Sequence, residues 1–149
     1  MNVLKSIAIL LLLALHLTAC RKEEEPDPAP VLEFVAISVT EVIEFSNAIS
    51  VTVKYSDVNG DLGSPDPDEN TVRVRDARLP DYDWYHLQPL TPNLEELNIS
   101  GSFVLELNPL FILGNGVEEV TTFTIQVRDR AGNWSNEVVT PQVRVIGEE

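Results

Sequence analysis

The chain is 149 residues long, about one domain on the usual length prior, and its 24 acidic and 10 basic side chains leave a net charge of −14. That balance argues against nucleic acid as a partner, because a phosphate backbone is held by clustered Lys and Arg. It leaves calcium, sugars and basic proteins open. The single cysteine excludes an intrachain disulfide and every zinc site built on two or four thiolates.

Residues 1–20 read MNVLKSIAILLLLALHLTAC. Lys5 precedes an apolar stretch from Ile7 to Leu15, and the small residues Thr18 and Ala19 lead to Cys20. This charged, apolar, small-residue order is that of a secretory signal, and the stretch is too short to span a bilayer. The ending Leu17-Thr18-Ala19-Cys20 resembles the bacterial lipobox. The resemblance implies cleavage after residue 19 and a covalent lipid, palmitate included, on Cys20. Loss of Lys5 would leave 24 acidic against 9 basic side chains, a net of −15.

Residues 21–30, RKEEEPDPAP, carry a glutamate run and three prolines. Pro removes backbone donors and like charges repel, so residues 20–30 are expected to form an acidic tether reaching roughly 30 Å at polyproline spacing. Cys20-Arg21-Lys22-Glu23-Glu24-Glu25 also resembles the short signal that sends Bacteroidetes lipoproteins to the outside of the outer membrane. A plain solvated tether accounts for the same residues.

From Val31 to the C-terminus the dominant period is two. Ile49, Val51, Val53 and Tyr55 alternate with polar residues, as do Phe103, Leu105 and Leu107, then Phe123, Ile125 and Val127, then Val139, Val143 and Val145. A strand buries every second side chain, so these predict half-buried antiparallel strands. Shorter strands are predicted at 35–39, 71–75 and 82–87. At most one helical turn fits at Asn93–Leu97. Six or seven strands in residues 31–149, separated by Gly, Asn and Pro, predict an antiparallel immunoglobulin-like sandwich of about seven strands.

Two motifs then stand out: Tyr55-Ser56-Asp57-Val58-Asn59-Gly60-Asp61-Leu62-Gly63, and Val127-Arg128-Asp129-Arg130-Ala131-Gly132-Asn133-Trp134-Ser135-Asn136. Together with the lipobox, the pair resembles a group of small, uncharacterised Bacteroidetes lipoproteins with an immunoglobulin-like domain. The resemblance implies the fold and the envelope compartment, and no catalytic activity.

Oxygen side chains at alternate positions of a Gly-permitted turn are how a loop wraps a hard cation. The loop is not an EF-hand, whose sixth position is glycine; here it is Leu62. The same residues also form turns without an ion, through local side-chain hydrogen bonds and positive φ. If 49–56 and 121–128 are equivalent strands of the two layers, the loops after them lie at one end. Asp57, Asn59, Asp61, Asp129 and Asn133 would then gather as a structural calcium site at the end where the tether arrives.

Asp81-Tyr82-Asp83-Trp84-Tyr85-His86 is the second cluster. Tyr82, Trp84 and Tyr85 could stack on a sugar, or could fill the core and cover an edge. His86 alone cannot build a multi-histidine metal site. There is no Gly-x-Ser-x-Gly elbow, no His-Glu-x-x-His and no phosphate-binding Gly-x-x-x-x-Gly-Lys, so no enzyme is expected. Two readings follow. One is a lipid-anchored, non-catalytic binding or structural module of the outer membrane, stabilised by calcium and exposed at the cell surface. The other is a carbohydrate-binding accessory lipoprotein of a glycan uptake system. The membrane is a partner through the lipid; the protein or glycan partner is not encoded in any motif.

Overall fold

The computed structural model describes residues 28–46, 48–91 and 97–148. The leader, Cys20, the tether up to residue 27 and most of the turn expected at 93–97 lie outside the described residues. Among the described residues there are strands, turns and bends, and no helix.

Ten strands follow in order: β1 (Val31–Ile37), β2 (Glu41–Ile43), β3 (Ile49–Asp57), β4 (Val72–Asp76), β5 (Asp83–Tyr85), β6 (Ile99–Leu107), β7 (Glu118–Thr121), β8 (Phe123–Val127), β9 (Val138–Val139) and β10 (Val143–Ile146). One sheet runs β1-β3-β6, a second β2-β10-β7 and a third β5-β4-β8-β9. The second and third are joined along the chain. β7 and β8 are two halves of one run broken at Thr122, and β9 and β10 flank Pro141. Thr140 ties that break together: its N–H donates to Phe123 O and its Oγ1 accepts from Phe123 N, each at 3.0 Å.

The strongest alternation in the sequence makes the longest ladder. β3 and β6 pair antiparallel from Ile49↔Leu107 to Asp57↔Ile99. Ile49, Val51 and Val53 are wholly buried and face Leu105, Leu107 and Phe103 across the ladder. They form one apolar cluster with Val72, Val74, Ile125, Val127, Val143 and Val145 from the other strands. Burying each such side chain is worth about 1.5–3 kcal/mol.

Three expectations need correcting. The sheets are not wholly antiparallel, because β2 runs parallel to β10. Three residues separate β1, paired with β3, from β2, paired with β10, so the chain changes sheets there. Val139 does not share the inward face of Val143 and Val145. Val138 pairs with Ile125 and Val143 with Thr121, one residue more on the later strand than on the earlier, so Val138 turns inward and Val139 stands 55% exposed. Finally, β8 is buried on both faces, since its outer residues Thr124 and Gln126 are flanked and covered by neighbours. A similar extra residue at Val35, where the β1–β3 register shifts, leaves Val35 exposed while Ile37 packs on the core.

Val31 pairs with Ser56. The chain before Val31 therefore enters the domain at the end where β3 and β8 finish and their loops begin.

Candidate functional site

At that end the loop after β3 meets the loop after β8. Leu62 and Asp129 form an antiparallel bridge, and Arg130 N donates to Asp61 O at 3.1 Å. Wholly buried Leu62 anchors the first loop in the core. Gly60 and Gly63 hold φ of 64° and 82°, and a Cβ on either would lie 2.2 Å from a carbonyl oxygen, that of Leu97 or Gln88. Only glycine fits there.

Each aspartate has a distinct task. Asp57 is buried at the end of β3; its Oδ1 accepts from Asn59 N at 3.1 Å and its Oδ2 from Asp61 N at 2.8 Å. Asp129 does the same for its own loop, taking Asn133 N at 2.6 Å and Asn133 Nδ2 at 2.9 Å. Asp61 works between loops: its Oδ2 accepts from Ala131 N at 3.0 Å. Its Oδ1 is buried with no hydrogen-bond partner among the described residues, and the residue as a whole is 9% exposed. Burial pushes the Asp61 carboxyl above its usual range, and the charge of Asp129 adds to this. Ala131 N–H pulls the other way, Asp57 raises it further, and Arg130 opposes.

Asp57, Asp61, Asp129 and Asn133 are thus brought to one pole, as topology predicts. Asn59 joins them through its backbone, which caps Asp57. Among the described residues no three Asp, Glu, His or Cys side chains stand arranged to hold a metal ion. The oxygens of Asp57 and Asp129 are turned onto N–H groups of their own loops.

Sequence reasoning missed the residues that lock the pole to the strands. Arg130 donates to Gly63 O at 3.0 Å. Ser135 Oγ accepts from Val127 N at 3.0 Å. Asn136 grips β1, its Oδ1 accepting from Leu32 N at 2.8 Å and its Nδ2 donating to Leu32 O at 3.0 Å. Their partners are backbone groups, which leave no mark in a sequence. The clue was local only: small polar residues flanking Trp134 where a strand ends.

The aromatic cluster separates into two faces. On β5, Trp84 pairs with Arg73 and points outward, 48% exposed. Tyr85 pairs with Val72, turns inward and packs against the core, where burial pushes its hydroxyl up despite an N–H from Asn108. Tyr82 sits on the outer side beneath Arg73 and Arg75. The three rings therefore do not share one surface. His86 is half-buried, with Nδ1 3.0 Å from Glu69 O.

No family model and no curated protein matches the chain. Among solved structures, it is similar to a mutant of the SrpA adhesin from Streptococcus sanguinis at 12% identity, with a TM-score of 0.41 over 83% of this chain. The chain spans 60% of that structure's length.

Proposed function

We propose that the chain is a non-catalytic, immunoglobulin-like sandwich module carried on the outer membrane by a lipid on Cys20, with calcium stiffening the pole where the tether enters. The anchor rests on the lipobox residues Leu17-Thr18-Ala19-Cys20 and the acidic, Pro-rich stretch after them. More than one acyl chain is needed for stable anchoring, which a triacylated cysteine supplies. Labelled palmitate is incorporated by the wild-type chain and not by Cys20→Ser; equal labelling of both would end this assignment.

The observation that carries the calcium reading is the buried Oδ1 of Asp61, which has no donor among the described residues and lies in a carboxyl group whose charge Asp129 and Asp57 both oppose. A buried anionic oxygen without a partner is costly, and a cation removes both the vacancy in bonding and the repulsion. Carboxylate oxygens of Asp57 and Asp129 that already accept an N–H keep a second lone pair for a ligand bond. Calcium takes six to eight oxygens in flexible geometry, so loop carbonyls and water complete the set. Adding EDTA to the calcium-loaded chain lowers its melting temperature, and Asp57→Ala removes the difference.

A second reading is favoured by one observation, the outward and half-exposed indole of Trp84. It makes the module a carbohydrate-binding accessory lipoprotein of a glycan uptake system, using Trp84 and Tyr82 as a stacking platform, without Tyr85.

A further inference from the structure

The outer face of β5, β4 and β8 differs in charge from the rest of this acidic chain. Arg73 and Arg75 both point outward from β4, and Arg128 follows β8 on the same side. Three of the ten basic side chains of the sequence thus share one surface. Elsewhere in the described residues, Lys54, Arg78 and Arg144 are matched to carboxylates at ion-pair distance, and Arg130 is taken up by the carbonyls of Gly63 and Gly60. Arg73 and Arg75 have no carboxylate partner among the described residues, and Arg128 has only Glu69 at 3.5 Å, both side chains being well exposed.

Aromatic rings interleave with these cations. The Arg73 guanidinium lies 4.0 Å from the centre of the Trp134 ring and 4.8 Å from that of Tyr82. Its Nε and Nη2 are pinned by Gln126 Oε1 at 3.1 and 2.7 Å. Arg73 is therefore a spacer that fixes the two rings. Trp84 meets Trp134 edge-on, with centroids 6.0 Å apart. Arg75 stands 5.5 Å from the Tyr82 ring and Arg128 5.7 Å from Trp134. The result is a strip that carries an exposed indole and two guanidinium groups with donors to spare.

We propose that this strip binds an anionic saccharide, its charge a carboxylate or a sulfate ester. The inference rests on the second, carbohydrate reading above and adds to it the charge of the sugar. Aromatic faces stack on the C–H face of a pyranose ring, and the planar guanidinium fork accepts an anionic group in bidentate geometry. Charge complementarity decides the occupant: beyond one ring contact each, and Glu69 for Arg128, the guanidinium groups of Arg75 and Arg128 keep N–H donors that suit an anionic group, in a chain of net −14.

The chain contains two tryptophans, and both lie on this strip, so intrinsic fluorescence reads it directly. The purified full chain in detergent is titrated with a hexamer of galacturonic acid, a sulfated dextran oligomer, a neutral glucose hexamer and polyglutamate. We expect saturable shifts with the uronate or the sulfated oligomer, weakened by salt. The neutral hexamer and polyglutamate should bind at least about tenfold more weakly, a difference of ~1.4 kcal/mol. Arg75→Gln, whose side chain has only a ring contact, should lose that preference with an unchanged melting temperature, while Trp84→Ala should lose binding of every sugar. Equal binding of neutral and anionic hexamers overturns the anionic inference and leaves the carbohydrate reading standing. Equal binding of polyglutamate overturns it as well, because the face would then read charge without sugar. No shift with any saccharide removes both.

Discussion

Ala131 donates its backbone N–H to Asp61 Oδ2 across 70 positions of sequence, at 3.0 Å. This bond, beside the Leu62–Asp129 bridge, makes two separate loops a single unit at the end where β1 begins. Asp61→Ala removes the acceptor of this cross-loop bond, whose donor sits on the exposed Ala131. It should cost about 0.5–1.5 kcal/mol of stability in calcium-free denaturant unfolding, the net worth of one hydrogen bond. A change near zero would mean that the two loops are held by the surrounding strands alone.

The opposite end is held by a buried ion pair. Arg78 Nη2 lies 2.6 Å from Asp76 Oδ2 and Nη1 lies 2.8 Å from Glu119 Oε2. Burial pushes the Asp76 carboxyl up, but hydrogen bonds from Arg78 and Thr121 outweigh it and hold the group below the usual carboxylate range. A depressed folded value means stability that is present above the unfolded value of about 3.9 and lost as pH falls through the folded one. Acid unfolding should therefore begin below about pH 4. Arg78→Ala leaves Asp76 buried without its cation and should cost about 3–5 kcal/mol, with a shallower acid limb. An unchanged acid limb would contradict the role given to this pair.

Leu62 is wholly buried although it sits in a loop. Leu62→Ala should cost about 2–5 kcal/mol in equilibrium unfolding, as for a core leucine. An effect below about 0.5 kcal/mol, typical of surface positions, would show that the loop does not contribute to the core.

Asn136 holds Leu32 by both its N–H and its C=O. Asn136→Ala should free the start of β1. Amide exchange at Leu32 should rise at least about tenfold while that of Val53, in the middle of the neighbouring strand, stays unchanged. Parallel rises at both would mean global destabilisation and no local grip.

Much of the fold was legible because period two persists over nine residues in β3 and β6. β2 and β9, at three and two residues, are too short to show a period. The inward face predicted for Val139 fails because the extra residue near Pro141 shifts the register, and a bulge has no reliable sequence sign. On the outer face of β8, Gln126 is held by Arg73, 53 positions away, a partner that no local pattern shows. At the pole, Asp57, Asp61 and Asp129 were legible from turn chemistry plus the expected positions of two strands. Tyr85 was separable from Tyr82 and Trp84 by strand parity alone, since odd and even positions face opposite sides. The arginine content of the outer face became apparent only when β4 and β8 were placed side by side.

The central claim is that the loops after β3 and β8 together hold one calcium ion. Calorimetric titration of calcium into the metal-free chain tests it directly, with Asp61→Asn as the comparison. Asparagine keeps the acceptor for Ala131 N and removes the charge, so this variant should fold at least as well as wild type without calcium. The expected result is one ion per wild-type chain, and affinity reduced at least about tenfold in Asp61→Asn. No heat in the wild type, or equal affinity in the two proteins, would contradict the account.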